Sequence, residues 1–526
     1  MQPQNSQRLS NIDVFNPVCI FVLLYCGYFL FGSLSLTTLP SPSINALLLI
    51  IMGLLSFILG SSISQYISSR TKTPDDEYTS NVMVEKLFRM LLFTGICLSL
   101  GIVAYEFISF GIPVLNPEIR TGSKILHTMV IVFLISTVFF LTDKLNSKIN
   151  YKVKWIYVII FFMIGCGVTI STAYRSPTII FILASLIVVN YSFIRLSPRH
   201  LSVGTIVLGL FVALVAMYRE RSLHGDNAVK FMESINPHGY PEILTQIHLQ
   251  CREGTVVFSD IVDTSPIFGL YNGQFIKTAF ETLLPGTQIG PRTVVSLLRE
   301  TRLESSTTPS ILGGPYLDFG VLGLVLSMFL VGYILMSLYI SLKKTQKGNF
   351  RFTINLWVYS ISLAIFLLSI HSGLLDGMTI IYLTVLLFIA TLINGKHRHP
   401  SMLATWFFVV LIFGVIFTTP YSIQNISAEK SYAIDYCSEN IRPNEEVLVD
   451  KYLAQSAVCL ANPQYHVSYN LFTNHHDVIV DKRSAQIECF VITRHSSTPP
   501  QFDKSTVKQT TMKKVYANRE TFVFFA

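Results

Sequence analysis

Long uninterrupted apolar runs constrain the fold of this chain more than any other feature. The first runs from Pro17 to Leu39 and the second from Ile44 to Ile67. A helix needs about 20 apolar residues to cross the hydrocarbon core of a bilayer, and only helices and closed barrels satisfy every backbone polar group there. Comparable runs follow at Met90 to Phe110, Ile125 to Leu141, Trp155 to Thr172, Pro177 to Ile194, Leu201 to Tyr218, Val321 to Leu342, Ile354 to Ile370, Thr379 to Ile393 and Leu403 to Thr419. The reading is an all-α polytopic membrane protein of about eleven transmembrane helices. The polar opening MQPQNSQRLSNID precedes a run too long for the core of a secretory signal, so that run reads as a retained span. Hydrophobic residues make up 51% of the 526 and charged residues 13%. A soluble enzyme carries about 25% charged residues, which excludes ordinary water-soluble domains, a disordered chain and a disulfide-stapled secreted scaffold.

Basic residues orient the bundle, because Lys and Arg in short loops stay on the cytoplasmic side. With the amino terminus inside, the inner loops hold Arg70, Lys72, Lys86 and Arg89, then Lys144, Lys148, Lys152 and Lys154, then Arg195 and Arg199, then Lys343, Lys344, Lys347 and Arg351, and finally Lys396 and Arg398. The short outer loops hold Arg120, Lys124 and Arg175. The net charge of +8 is thus a topology signal, and no nucleic-acid partner is expected. Localisation follows as the cytoplasmic (plasma) membrane, multi-pass, with the amino terminus cytoplasmic and the carboxyl-terminal domain extracytoplasmic.

The chain then divides into a cytoplasmic amino terminus (1–14), a first set of membrane helices (15–218), a large extracytoplasmic loop (219–310), a second set of membrane helices (311–419) and a small extracytoplasmic α/β domain (420–526). The outer loop is several times longer than ordinary connections, so it is functional or carries its own structure. Helical spacing in GQFIKTAFETLLPG and PRTVVSLLRE predicts short amphipathic helices on the membrane surface, broken at Pro285-Gly286 and Gly290-Pro291, and forming a lid. In the tail, a polar helical stretch near Ala428 to Asn440 accompanies β-rich runs at Glu446 to Asp450, Asp477 to Val480, Ile487 to Thr493 and Thr521 to Phe525.

Cys19, Cys26, Cys97 and Cys166 fall within spans, where a thiol serves as a small apolar filler. Cys251, Cys437, Cys459 and Cys489 lie outside, where a Cys437–Cys459 bridge or free thiols are the alternatives. No Cys or His spacing resembles a zinc site, and neither a metal nor a cofactor is expected.

Charged groups at membrane depth are costly and ask for a reason. Glu106, in the outer half of the third span, reads either as a proton acceptor under an outer cavity or as an interfacial carboxyl. His127 reads as a packing histidine. Arg175 occupies a turn too short to be an ordinary solvated loop, Arg219 and Arg221 close the seventh span, and Arg292 follows Gly290-Pro291. A guanidinium fork donates paired hydrogen bonds to phosphate oxygens and keeps its proton. An outward arginine cluster at headgroup depth is therefore placed to hold a lipid-linked diphosphate, the alternative being attachment to ordinary lipid headgroups.

The densest local signature is Thr308-Pro309-Ser310-Ile311-Leu312-Gly313-Gly314-Pro315-Tyr316-Leu317-Asp318-Phe319-Gly320-Val321-Leu322-Gly323. With it come Gly111-Ile112-Pro113-Val114-Leu115 and Arg120, Tyr174-Arg175-Ser176, and Leu284-Pro285-Gly286. In order and spacing this resembles the O-antigen polymerase, or oligosaccharide repeat unit polymerase, family. It departs from many relatives at Gly314, where they carry an acidic residue, and in its folded tail.

The resemblance implies a GT-C-like helical bundle and a metal-independent membrane glycosyltransferase. Such an enzyme polymerises polyprenyl-diphosphate-linked oligosaccharide repeat units into a surface polysaccharide at the outer face of the membrane. Arg175, Arg219, Arg221, Arg292, Arg120, Tyr174 and Tyr316 are then the candidate diphosphate-binding residues. Asp318 and Glu106 are candidate general bases, Asp318 having the alternative of capping the outer end of the eighth span. His371 is a candidate counterpart of an outer histidine in the related O-antigen ligases. Expected partners are the lipid-linked oligosaccharide, membrane lipids and a chain-length regulator. O-antigen-ligase-like transfer to another acceptor and a glycolipid flippase or transporter are the alternative functions. The absence of an internal repeat and the gathering of polar features at one face weigh against a transporter.

Overall fold

A computed structural model describes residues 13–70, 82–115, 124–172, 175–268, 270–281, 290–298 and 307–374, together with strands at 446–449, 466–468, 487–493, 513–517 and 521–525. Up to residue 374 the regular structure described is helical: α1 (Pro17–Ser33), α2 (Ile44–Arg70), α3 (Val82–Phe110), α4 (Lys124–Asn146), α5 (Tyr151–Ser171), α6 (Arg175–Ser192), α7 (Pro198–His224), α8 (Asp226–Ile235), α9 (Glu242–Phe268), α10 (Gln274–Glu281), α11 (Pro291–Leu298), α12 (Ser310–Lys344) and α13 (Phe350–Ser372). Among the described residues, seven helices, α2 to α6, α12 and α13, are long and apolar enough to cross a membrane, and α1 is a shorter apolar helix. The protein is a multi-pass membrane protein. The expected spans Thr379–Ile393 and Leu403–Thr419, the helical stretch 428–440 and the run 477–480 lie outside the described residues.

Local chemistry starts the helices where polar residues meet apolar runs. The Asn16 side chain accepts from the amides of Val18 and Cys19 while Pro17 supplies a helix-ready first position. Ser197 and His200 form a reciprocal capping box at α7.

Small residues set the tightest helix contact, between α2 and α12. A Cβ on Gly60 would collide with the Phe329 carbonyl, and one on Gly332 with the Phe57 carbonyl. Ser61 Oγ donates to Gly332 O at 3.1 Å across the same crossing. Lipid tails are as apolar as leucine, so close backbone approach and interhelical hydrogen bonds do the associating. α13 runs through the centre, buried along nearly its whole length against α4, α6 and α12, with Trp357 Nε1 donating to Ile135 O at 2.9 Å. α3 packs chiefly on α4 and exposes Leu91, Phe93, Leu98, Tyr105 and Ile108, the face a lipid-bathed helix presents.

The expected short amphipathic helices of the segment after α7 are α10 and α11. The segment also holds a long helix that was not expected: α9 packs against α1, α2, α7 and α12 with His248, Arg252, Thr255 and Phe258 buried. Its polar side chains are absorbed by partners, Arg252 donating to Gly32 O at 2.9 Å and to Leu39 O at 3.0 Å, which is why an amphipathic helix lies inside the assembly. The eighth expected span opens where the structure breaks α12: the helix starts at Ser310, is interrupted at Phe319 and Gly320, where φ of +61° at position 320 suits a residue without Cβ, and resumes at Val321. The boundary 218/219 falls inside α7, whereas 310/311 falls at the start of α12.

One end of the bundle is closed by Asp13. Its carboxylate accepts from Tyr191 Oη and Tyr339 Oη at 2.8 Å each and pairs with Lys343 Nζ at 2.6 Å. Burial pushes the Asp13 carboxyl up, but the bonds from Lys343, Tyr339 and Tyr191 outweigh it and leave it below the ordinary carboxylate value.

In the tail, the five described strands, β1 (Glu446–Val449), β2 (His466–Ser468), β3 (Ile487–Thr493), β4 (Lys513–Ala517) and β5 (Thr521–Phe525), form a mixed sheet in the order β2-β1-β3-β5-β4. β1 runs parallel to β2 and β3, whereas β5 pairs antiparallel with β3 and β4.

Candidate functional site

The other end of the bundle gathers groups from five helices. Arg175 opens α6, His371 lies in the last turn of α13, Tyr28 stands in α1, Gln250 in α9 and Arg292 in α11. Arg175 Nη1 donates to Gln250 Oε1 at 3.3 Å. Tyr28 Oη donates to the Gln250 backbone carbonyl at 3.1 Å and meets His371 Nδ1 at 3.0 Å. Arg175 and Arg292 both lie within electrostatic range of His371, and Glu253 lies within range of Tyr28.

Backbone features hold this cluster together. Gly254 has no Cβ, and a Cβ there would collide with the Tyr28 hydroxyl, so glycine is what lets α1 bring that hydroxyl onto α9. Gly373, at φ +98°, ends α13 just after His371, and a Cβ on it would stand 3.1 Å from Pro309 Cγ. The start of the 308–323 motif thus presses against the end of the helix that carries His371.

Further along the motif, the break in α12 frees backbone carbonyls that the α9–α10 connection takes up. Tyr271 N donates to Leu317 O and Asn272 N to Asp318 O, each at 2.9 Å. The buried Asp318 carboxylate accepts from the amides of Gly273, Phe275 and Ile276 at 3.1, 2.9 and 2.9 Å. It is a capping group at the amino end of α10, where amides left without helical partners favour a negative side chain. It caps another helix rather than its own.

Residues 13–383 match the family model described as "Putative O-antigen polymerase". The chain belongs to the O-antigen polymerase family. None of the curated proteins matches it. Family membership makes this a multi-pass membrane protein of polysaccharide biosynthesis, with a lipid-linked oligosaccharide as its class of substrate and a polymerase or glycosyltransferase type of activity.

Against that assignment, the residues singled out in the sequence fall into three groups. Arg175, Arg292 and His371 come together. Arg221, Tyr316 and Glu106 do not join them: Arg221 Nη2 reaches both Glu242 carboxylate oxygens, at 2.8 and 2.6 Å, on an exposed surface. Tyr316 lies edge-on to Phe258, its hydroxyl 3.5 Å from Ser265 Oγ. Glu106 stands half-buried on α3, and no described interaction links it to the cluster. Arg120 and Tyr174 lie outside the described residues, as do the side chains of Arg219 and His127.

Sequence reading missed Tyr28, Gln250, Glu253 and Arg252. Among the described residues no group of three His, Cys, Asp or Glu side chains could hold a metal. Cys251 is a free thiol whose value burial pushes up to about 12, so it is inert at neutral pH. His248 is buried near it on α9. Burial holds its ring below the ordinary histidine value, the Leu34 carbonyl at 2.9 Å from Nε2 opposes that shift, and Arg252 adds to it.

Proposed function

We propose that the protein polymerises lipid-diphosphate-linked oligosaccharide repeat units at the outer face of the cytoplasmic membrane. The observation that carries the reading is the cluster at one end of the bundle, in which Tyr28 bridges His371 and the Gln250 backbone, Gln250 accepts from Arg175, and Arg292 lies within electrostatic range of His371. In the reaction, the bond between the anomeric carbon of the growing glycan and its lipid diphosphate breaks, and a bond to a hydroxyl of the acceptor repeat unit forms. The leaving diphosphate gains charge as that bond lengthens, and fixed guanidinium groups stabilise it without reorganising. His371 takes the proton of the attacking hydroxyl. Glu106 and Asp318 are weaker candidates for that base, the first because no described interaction ties it to the cluster and the second for its three amide bonds.

The proposed frame is about eleven spans with the amino terminus inside, which puts His371 and Arg175 at the outer surface. The positions of Arg70, Lys144, Arg195 and Lys343 support it, since all belong to helix ends or loops on the Asp13 side of that topology. The tail from 420 to 526 is then an extracytoplasmic domain.

The test supplies purified protein with lipid-linked repeat units, without metal or nucleotide, and follows chain length. The expected product is a ladder of longer lipid-linked chains. Transfer only to a different lipid acceptor assigns the ligase reaction instead, and labelled glycolipid crossing a vesicle bilayer with no lengthening assigns transport.

A further inference from the structure

We infer that Tyr28 is a positioning residue that fixes which nitrogen of His371 carries the proton, and that it does so because Gly254 opens a path for its hydroxyl to the Gln250 carbonyl. The inference deepens the proposed role of His371 as base and rests on that role for its functional meaning, though not for its geometry.

A phenol has one proton to give. Tyr28 Oη stands 3.1 Å from the Gln250 carbonyl oxygen and 3.0 Å from His371 Nδ1. The carbonyl can only accept, so the Tyr28 proton goes to it; otherwise two oxygens would face each other with no hydrogen between them. Tyr28 Oη then offers lone pairs to His371, and Nδ1 must be the protonated nitrogen. In the neutral ring this leaves the lone pair on Nε2, and no described residue bonds to that atom. A ring whose second nitrogen is fixed by a hydrogen bond has a defined tautomer and orientation. That is what a base needs to accept a proton from one particular hydroxyl.

The supporting shell is continuous. Gln250 serves two sides, its backbone oxygen accepting from Tyr28 and its side-chain oxygen from Arg175. The Tyr28 ring also lies edge-on to Phe29 and His371, with centroids 5.2 and 5.9 Å away, so replacing it by phenylalanine removes the hydroxyl and keeps the packing. Gly254 is the second, independent mark of the arrangement, because any Cβ there would occupy the hydroxyl's position.

The experiment is ¹⁵N NMR of the full chain in lipid nanodiscs with ring-labelled histidine, the His371 signals being assigned by their loss in His371→Gln. The wild-type protein is expected to show Nδ1 protonated and Nε2 bare. Tyr28→Phe is expected to move the ring toward the Nε2-protonated form that imidazoles ordinarily prefer. Gly254→Ala, which keeps the tyrosine but displaces its hydroxyl, should do the same. An Nε2-protonated ring in the wild type, or an unchanged ring in both variants, overturns the inference whatever the activity. On the elongation assay, Tyr28→Phe should lower kcat by about tenfold or more with KM little changed; full elongation with an altered tautomer overturns the positioning role. A wild-type protein with the expected tautomer that elongates nothing leaves the geometry standing and removes the polymerase reading, so the two failures are distinguishable.

Discussion

The two ends of the helical bundle are built from similar residues and solve opposite problems. At one, Asp13 meets two tyrosine hydroxyls and Lys343, and every named group serves another in the same closed set. At the other, Arg175 and Arg292 stand around an imidazole whose Nδ1 side is tied to Tyr28. The first end has a carboxylate matched to its donors and reads as a fastening between the amino terminus, α6 and α12. The second brings two guanidinium groups within range of an imidazole held by a tyrosine hydroxyl. The two ends thus differ in what sits at their centre, a carboxylate at one and an imidazole at the other.

Substitutions can break or sharpen this contrast. The largest effect is expected from Arg175→Ala and His371→Ala, each lowering chain elongation by about 100- to 1,000-fold while membrane insertion and thermal stability stay near wild type. Long chains of normal yield from either variant would erase the distinction between the ends. Next comes Asp318→Asn, which sets an amide group against the amides of Gly273, Phe275 and Ile276 and should cost about 3 kcal/mol of stability, read by thermal unfolding in detergent. Elongation per folded molecule should fall far less than in His371→Ala.

Asp13→Asn should cost about 1–3 kcal/mol with elongation per folded molecule unchanged. Because the folded carboxyl titrates below its unfolded value, its stabilisation is complete above that unfolded value, about pH 4, and disappears as pH falls through the folded one. The variant should therefore lose part of the wild-type decline in stability at acid pH. The smallest effect is expected from Arg221→Ala, whose exposed pair with Glu242 is worth about 1 kcal/mol or less, with elongation unaltered. A large loss there would extend the site along α7.

Much of the bundle was legible because hydrocarbon leaves a chain few options. The apolar runs from Pro17 through Ile370 each coincide with a described helix, and the β-rich runs at Glu446, Ile487 and Thr521 coincide with described strands. α9 was not legible, since Thr, Gln, His and Arg along it look solvated until Gly32, Leu34 and Leu39 are found to receive them. In the cluster, guanidinium chemistry singled out Arg175 and Arg292, though it singled out the surface-paired Arg221 as well. Tyr28 was hidden inside an apolar run, where one hydroxyl leaves no periodic trace, and Gly254 was the available hint that something approaches α9 closely. The helix that Asp318 caps was not legible because its partners lie more than forty residues upstream and become neighbours only through the break in α12.

That break also decides how firmly α10 is held. Five hydrogen bonds rivet the stretch from Tyr271 to Ile276 onto Leu317 and Asp318, and pulling them apart would strand a carboxylate in an apolar interior at a cost of about 3–5 kcal/mol. α10 is accordingly a fixed part of the bundle wall, riveted to α12 where that helix breaks.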